Sequence, residues 1–196
     1  MVKPYFLSAV QYVRSHKKHL LIGALSVVSI IAAVVIVLLY VESQRTKILY
    51  SPMNACNLLL EDEARDLLGR RTLQSDAKTP VITGDVAVSR CGYTDGNPDV
   101  EAMLVAAIMV RSAINDDGVT QNNDDFFASK ATDGKEAVDG IGDGAYFDTL
   151  RGQLHILDER KWIILSYGTG SAPEANTLDD ALALAKKIVG PASEQE

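Results

Sequence analysis

The longest apolar run in the chain covers residues 20–40, 21 positions without a charged side chain. A helix of that length, at about 1.5 Å per residue, measures roughly 30 Å, one hydrocarbon core, so the pattern predicts a membrane-spanning helix. Arg14, Lys17 and Lys18 precede it, with Lys3 further back. Arg45 and Lys47 follow, but they head a long segment in which charge has less say. The balance predicts an N-terminus in the cytoplasm and a body outside. A cleavable signal peptide ending near Val41 and Ser43 is the competing reading, although its apolar core normally runs only about 7–15 residues. Within the basic head, residues 1–19, Phe6, Val10 and Val13 fall at i, i+4, i+7 and outline either a short interfacial helix or a plain topogenic flank.

After a polar connector over residues 41–55, the apolar spacing changes. Leu60, Ala64, Leu67 and Leu68 follow a 3.6-residue period, with Glu61, Asp62 and Glu63 at the start and Gly69 after the end, predicting a first helix. Residues 72–83 are polar, contain Pro80 and read as a loop. Residues 85–93 alternate and read as a strand; residues 100–111 are nearly all apolar and read as a central strand, or as a buried helix. Asp95-Gly96-Asn97-Pro98 between them signals a reversal. A second helix is expected from about Thr120. Residues 145–149, 153–157 and 161–169 predict three consecutive strands in an antiparallel meander. Thr177 as N-cap, Asp179 and Asp180, then Leu178, Leu182, Ala185 and Val189 at helical spacing, and finally Lys186, Lys187 and Gly190-Pro191, predict a terminal helix. The predicted fold class is α+β: a single N-terminal transmembrane helix followed by one exported domain, residues 56–190, with a mostly antiparallel sheet packed against two or three helices, and a tail over residues 191–196.

Charge sharpens the contrast between the two parts. Residues 43–196 hold 15 lysines and arginines against 25 aspartates and glutamates, a net charge of −10. Such a body has no electrostatic footprint for nucleic acid, which is excluded as a partner. Cys56 and Cys91 are the only cysteines. Placed outside the cell they are expected to pair, closing a loop that removes about 3 to 4 kcal/mol of denatured-state entropy.

The candidate chemistry is thin. Gly140-Ile141-Gly142-Asp143-Gly144 precedes a predicted strand, whereas a dinucleotide site needs the helix there, so a tight turn is the better reading. Asn115, Asp116, Asp117, Asn122, Asn123, Asp124 and Asp125 could offer oxygens to calcium, yet no register fits an EF-hand, and a solvated acidic loop competes. No metal site and no cofactor is expected. His155 is the only histidine beyond residue 19, so a Ser-His-Asp triad could form only through it, and no nucleophile elbow accompanies it. Tyr93, Tyr146, Trp162 and Tyr167 lie on predicted strands and are the candidate binding residues, with ordinary core packing as the alternative.

The order Cys56-x-Leu58-Leu59 opening a helix that closes at Leu68-Gly69, then Cys91-x-Tyr93, then Gly140-x-Gly142-Asp143-x-Ala145-Tyr146, then an amphipathic terminal helix, resembles secreted and lipid-anchored cell-envelope proteins of actinobacteria, domains largely of unknown function. The resemblance spans residues 56–189, implies an α+β domain stapled near its first helix, and supplies no catalytic residues. Two features depart from it: the predicted anchor is a span and not a lipidated cysteine, and Leu60 stands where a polar cap is usual. The expected function is that of a non-enzymatic, membrane-anchored, extracytoplasmic protein of the bacterial cell envelope that binds a protein, peptide or envelope component. The alternatives are an envelope hydrolase using His155 and a ligand-sensing ectodomain that signals through a cytoplasmic partner.

Overall fold

The computed structural model describes residues 31, 33–36, 47–69 and 71–189. The chain divides into two units, Met1–Thr46 and Lys47–Glu196. Of the first, Ile31 and residues 33–36 are described, and they are helical. The remainder of the predicted span, the basic head and the tail lie outside the described residues. Among the described residues no helix is long and apolar enough to cross a membrane. The expected architecture of a transmembrane helix joined to an exported domain is therefore corrected: the fold described is a seven-stranded antiparallel sheet with helices packed on it.

The strands are β1 (Leu73–Thr83), β2 (Val86–Thr94), β3 (Leu104–Ala113), β4 (Lys135–Val138), β5 (Gly144–Asp148), β6 (Gln153–Asp158) and β7 (Lys161–Thr169). Their spatial order is β1-β2-β3-β7-β6-β5-β4, every neighbouring pair antiparallel. Two meanders thus meet at the β3–β7 ladder in the middle of the sheet. Strand period 2 gives the sheet two faces. One carries Cys91, Tyr93, Ala106, Ile108, Val110, Leu154, Ile156, Ile163 and Leu165, and this is the main core. A 3-10 turn (Ala55–Asn57), α1 (Glu61–Leu68) and α3 (Leu178–Ile188) cover it with Leu59, Ala64, Leu68, Ala181, Leu184 and Ala185. Each large aliphatic side chain buried there contributes about 1.5–3 kcal/mol.

The terminal helix forms as its caps predict, with the Thr177 hydroxyl accepting from the Asp180 amide at 3.2 Å. Helix α1 starts at Glu61 because Leu60 is its N-cap; Leu60 is 51% exposed and so lies off the buried face expected for it. Having no side-chain acceptor, Leu60 leaves only half of a capping box, its amide donating to Glu63 Oε2 at 2.8 Å. The segment 47–55 is stitched to the sheet. The Leu49 and Tyr50 amides donate to the Ile114 carbonyl at 2.7 and 3.0 Å, and the Ser89 hydroxyl bridges the Ala55 amide and the Met53 carbonyl.

On the second face α2 (Asp116–Lys130) crosses β3 and β7. It begins four residues before the predicted Thr120, because Asn115 caps it by accepting from the Gly118 amide at 2.9 Å and Asp116 and Asp117 occupy the first turn. The supposed acidic loop is therefore a helix. Residues 72–83, read as a loop, form the edge strand β1. Its side chains are mostly exposed on both faces, so no alternation marks it, and Pro80 sits at an irregularity between Lys78 and Val81 where no ladder donor is needed.

Candidate functional site

Pairing register places small residues side by side on the second face. Gly92 pairs with Ala107, Ala107 with Ser166, and Ser166 with Gln153, forming one row across β2, β3, β7 and β6. The next row on one side is Arg90, Met109 and Ile164; on the other, Thr94, Val105 and Gly168. Helix α2 does not reach this part of the face, and the small row becomes the floor of an open trough with a cavity of about 370 Å³. Met109 and Ile164 wall one side and Val105 the other. A bulge between Gln74 and Asp76 turns Ser75 towards the same space. A Cβ on Gly92 would approach the Ser75 hydroxyl to 3.3 Å and the Ala107 methyl to 3.6 Å, so glycine keeps that end open. The polar groups of the trough are Ser75, Asp76, Arg90, Gln153 and Ser166, with Gln153 Nε2 donating to Ser166 Oγ at 3.2 Å.

The four aromatic candidates do not line one groove. Tyr93 and Tyr167 lie on the main-core face, Tyr93 buried and Tyr167 donating its hydroxyl to the Leu67 carbonyl of α1 at 3.1 Å. Tyr146 and Trp162 lie on the other face, beneath α2, in a second cluster with Phe126 and Leu157. Phe126 stands 5.1 Å from Tyr146 and 6.0 Å from Trp162, centroid to centroid.

His155 belongs to that cluster. It stacks on its cross-strand partner Tyr146 at 4.5 Å and is only 6% exposed. Trp162 Nε1–H donates to His155 Nδ1 at 3.2 Å, and the Tyr146 hydroxyl lies 3.0 Å from the same nitrogen. An indole N–H can only donate, so Nδ1 carries the lone pair and the proton of the neutral ring is on Nε2. Nε2 is buried and has no hydrogen-bond partner among the described residues. Burial drives the imidazole down to about 4; Asp148 pulls the other way, and Lys135 and Arg151 reinforce the fall. The partners of His155 are thus an indole and a phenol, not the hydroxyl nucleophile and orienting carboxylate of a Ser-His-Asp arrangement. Beside it, the buried Asp148 carboxylate holds Lys135 Nζ at 2.6 Å and Arg151 Nη1 at 2.9 Å.

Several oxygens once available to calcium are already engaged. Asp125 pairs with Arg111 at 2.6 Å, Asp116 accepts from the Tyr50 hydroxyl, and Asn115 Oδ1 accepts from the Gly118 amide. Among the described residues no group of three His, Cys, Asp or Glu side chains is placed to hold a metal ion. Gly140 and Gly142 have φ of 78° and 56° in the turn that feeds β5, and the Asp143 amide closes it on the Leu157 carbonyl at 2.7 Å. Cys56 and Cys91 form a disulfide with Cα atoms 5.0 Å apart, tying the 3-10 turn to β2.

The chain matches no protein-family model, no curated protein and no solved structure. Sequence reasoning passed over the trough because Gly92, Ala107 and Ser166 are ordinary small residues taken singly. The available signal is that each follows or precedes a core residue (Cys91, Ile108, Leu165) in the sequence, which assigns all three to the opposite face.

Proposed function

We propose that residues 47–189 form a non-enzymatic, extracytoplasmic binding module of the cell envelope, and that the trough on the second sheet face holds a short extended peptide segment of an envelope component. The trough is the observation that carries this reading. It runs across four strands, about 14 Å at a strand spacing of roughly 4.8 Å, which is the length of about four extended residues. Its walls are aliphatic and include Met109, whose flexible thioether adapts to varied side chains. Among the described residues no aromatic ring lines it for a sugar face to stack upon, which favours peptide over glycan. The Cys56–Cys91 bridge supports an oxidising compartment.

Isotope-labelled full-length protein titrated with four- to six-residue envelope-type peptides and with glycan fragments tests the proposal. Saturable shifts at the Gly92, Ala107 and Ser166 amides with peptides are expected, with affinity at least tenfold weaker in Ala107→Phe, which fills the floor. Shifts confined to the α1–α3 face, binding of glycans alone, or turnover of either ligand by the protein would overturn it.

A further inference from the structure

The two halves of α2 are held to the sheet in different ways. At its N-terminal half none of the attachments involves His155: Asn115 caps the helix and donates to Asp85 Oδ1 at 2.8 Å, Asp116 accepts from the Tyr50 hydroxyl, Gly118 packs directly on the Asp85 carbonyl, and Asn122 reaches the Arg111 and Arg160 carbonyls at 3.1 and 3.2 Å. The C-terminal half is held through two aromatic side chains and one ion pair to β3. Phe126 packs on Tyr146 and Trp162, the Ser129 hydroxyl lies 2.7 Å from that of Tyr146, and Asp125 pairs with Arg111, whose guanidinium stands 5.8 Å over the Trp162 ring. Both aromatics converge on one atom, His155 Nδ1.

The Trp162 contact to that atom holds only while it is unprotonated, whereas the Tyr146 hydroxyl, which donates to Ser129 Oγ, keeps an oxygen able to accept from it. A second proton on the ring must go to Nδ1, because Nε2 already carries one, and it would then face the Trp162 N–H donor to donor. The charged groups around the ring offer no free counter-ion. Asp148 on β5 is committed to Lys135 on β4 and Arg151 in the β5–β6 turn, while Arg111 on β3 adds positive charge beyond Trp162. The other groups in contact are the Tyr146 hydroxyl and the indole themselves. We propose that His155 is an acid-sensitive latch, whose protonation releases the C-terminal half of α2 and uncovers Phe126, Tyr146 and Trp162 on the face that carries the trough.

The direction follows from burial. The imidazole titrates at about 4 when docked, against about 6.5 when released. Its contribution to docking is complete above pH 6.5 and is lost as the pH falls through 4. Between those values the ratio of docked to released helix drops about tenfold per pH unit. This device does not depend on what the trough binds, because its readout is the helix itself.

Trp162 is the only tryptophan in the chain and reports the event directly. In the full-length protein a reversible change in its emission is expected between pH 6.5 and 4, with the sheet signal in circular dichroism retained. Amide exchange over residues 126–130 should accelerate ahead of that over residues 116–121. His155→Gln should lose the transition in this window. A flat Trp162 signal down to pH 3.5, or the same transition in His155→Gln, would overturn the latch. If that variant does not fold, histidine carbon shifts in the unmodified protein decide: a protonated His155 with Phe126–Trp162 proximity intact rejects it, and loss of that proximity in step with protonation supports it.

Discussion

Asp148 shows how much a single buried side chain can be asked to hold. Burial works against its charge, but the Lys135 and Arg151 donors overcome that and keep the carboxyl below the ordinary carboxylate range. It also accepts from the Leu150 and Arg151 amides, both at 3.1 Å, which closes the β5–β6 turn. The Lys135 side chain is only 4% exposed, so removing the charge opposite leaves an ammonium with poor access to water. Asp148→Asn is expected to cost about 3–5 kcal/mol at pH 7, measured by urea denaturation, because a broken buried pair leaves an uncompensated charge. A loss under 1 kcal/mol would mean that Lys135 finds water or another acceptor. The pH window separates this residue from His155. The depressed folded value of Asp148 gives stability that is present above about 3.9 and lost as the pH falls through the folded value, whereas the His155 contribution fades earlier, from 6.5 to 4.

At the scale of elements, α2 is seated by contact more than by propensity. Gly118 lies in its first turns, where alanine would be favoured by about 1 kcal/mol in an isolated helix. Here a Cβ would collide with the Asp85 carbonyl oxygen and crowd Ala113 Cα at 3.2 Å. Gly118→Ala should therefore destabilise by about 1–3 kcal/mol in urea and speed amide exchange along α2; a gain in stability would show that the helix rides free of the sheet. The same element explains what a sequence can disclose. Helix α3 and strands β5 to β7 were legible because caps, and the turn residues Arg151-Gly152 and Asp158-Glu159-Arg160 between the strands, are local signals. Helix α2 was half legible, since Asn115-Asp116-Asp117 suits a turn and an N-cap equally well. Strand β1 was hidden by its exposure on both faces, and β4 by having four residues. The trough and the His155 cluster depend on which residues meet across strands, Tyr146 with His155 or Gly92 with Ala107, and register is not written in any one segment.

For the molecule as a whole, the Cys56–Cys91 bridge joins stability to the candidate site. Its loop contains α1 and β1, and β1 contributes no fully buried side chain to either face. This region has little hydrophobic burial of its own to resist local opening, whereas β3, β7 and β6 carry the main core. Closing a loop with a sequence separation of 35 lowers denatured-state entropy by about 3 to 4 kcal/mol in the chain-entropy model. Reduction should lower the urea midpoint accordingly, and the loss should be uneven: amides of α1 and β1 should exchange first while those of β5, β6 and β7 stay protected. The functional consequence follows from position. Ser75 and Asp76 of β1 bound one end of the trough, and Gly92 on its floor adjoins Cys91. Reduced protein, or a Cys56→Ser/Cys91→Ser variant, is therefore expected to lose peptide binding at the trough while the rest of the sheet remains folded. Equal loss of protection throughout the sheet would instead make the disulfide a global staple, with no special tie to the site. Uneven loss accompanied by loss of binding would make an oxidising compartment a condition of function as well as of stability, because the edge that closes the trough is held in place by the bridge.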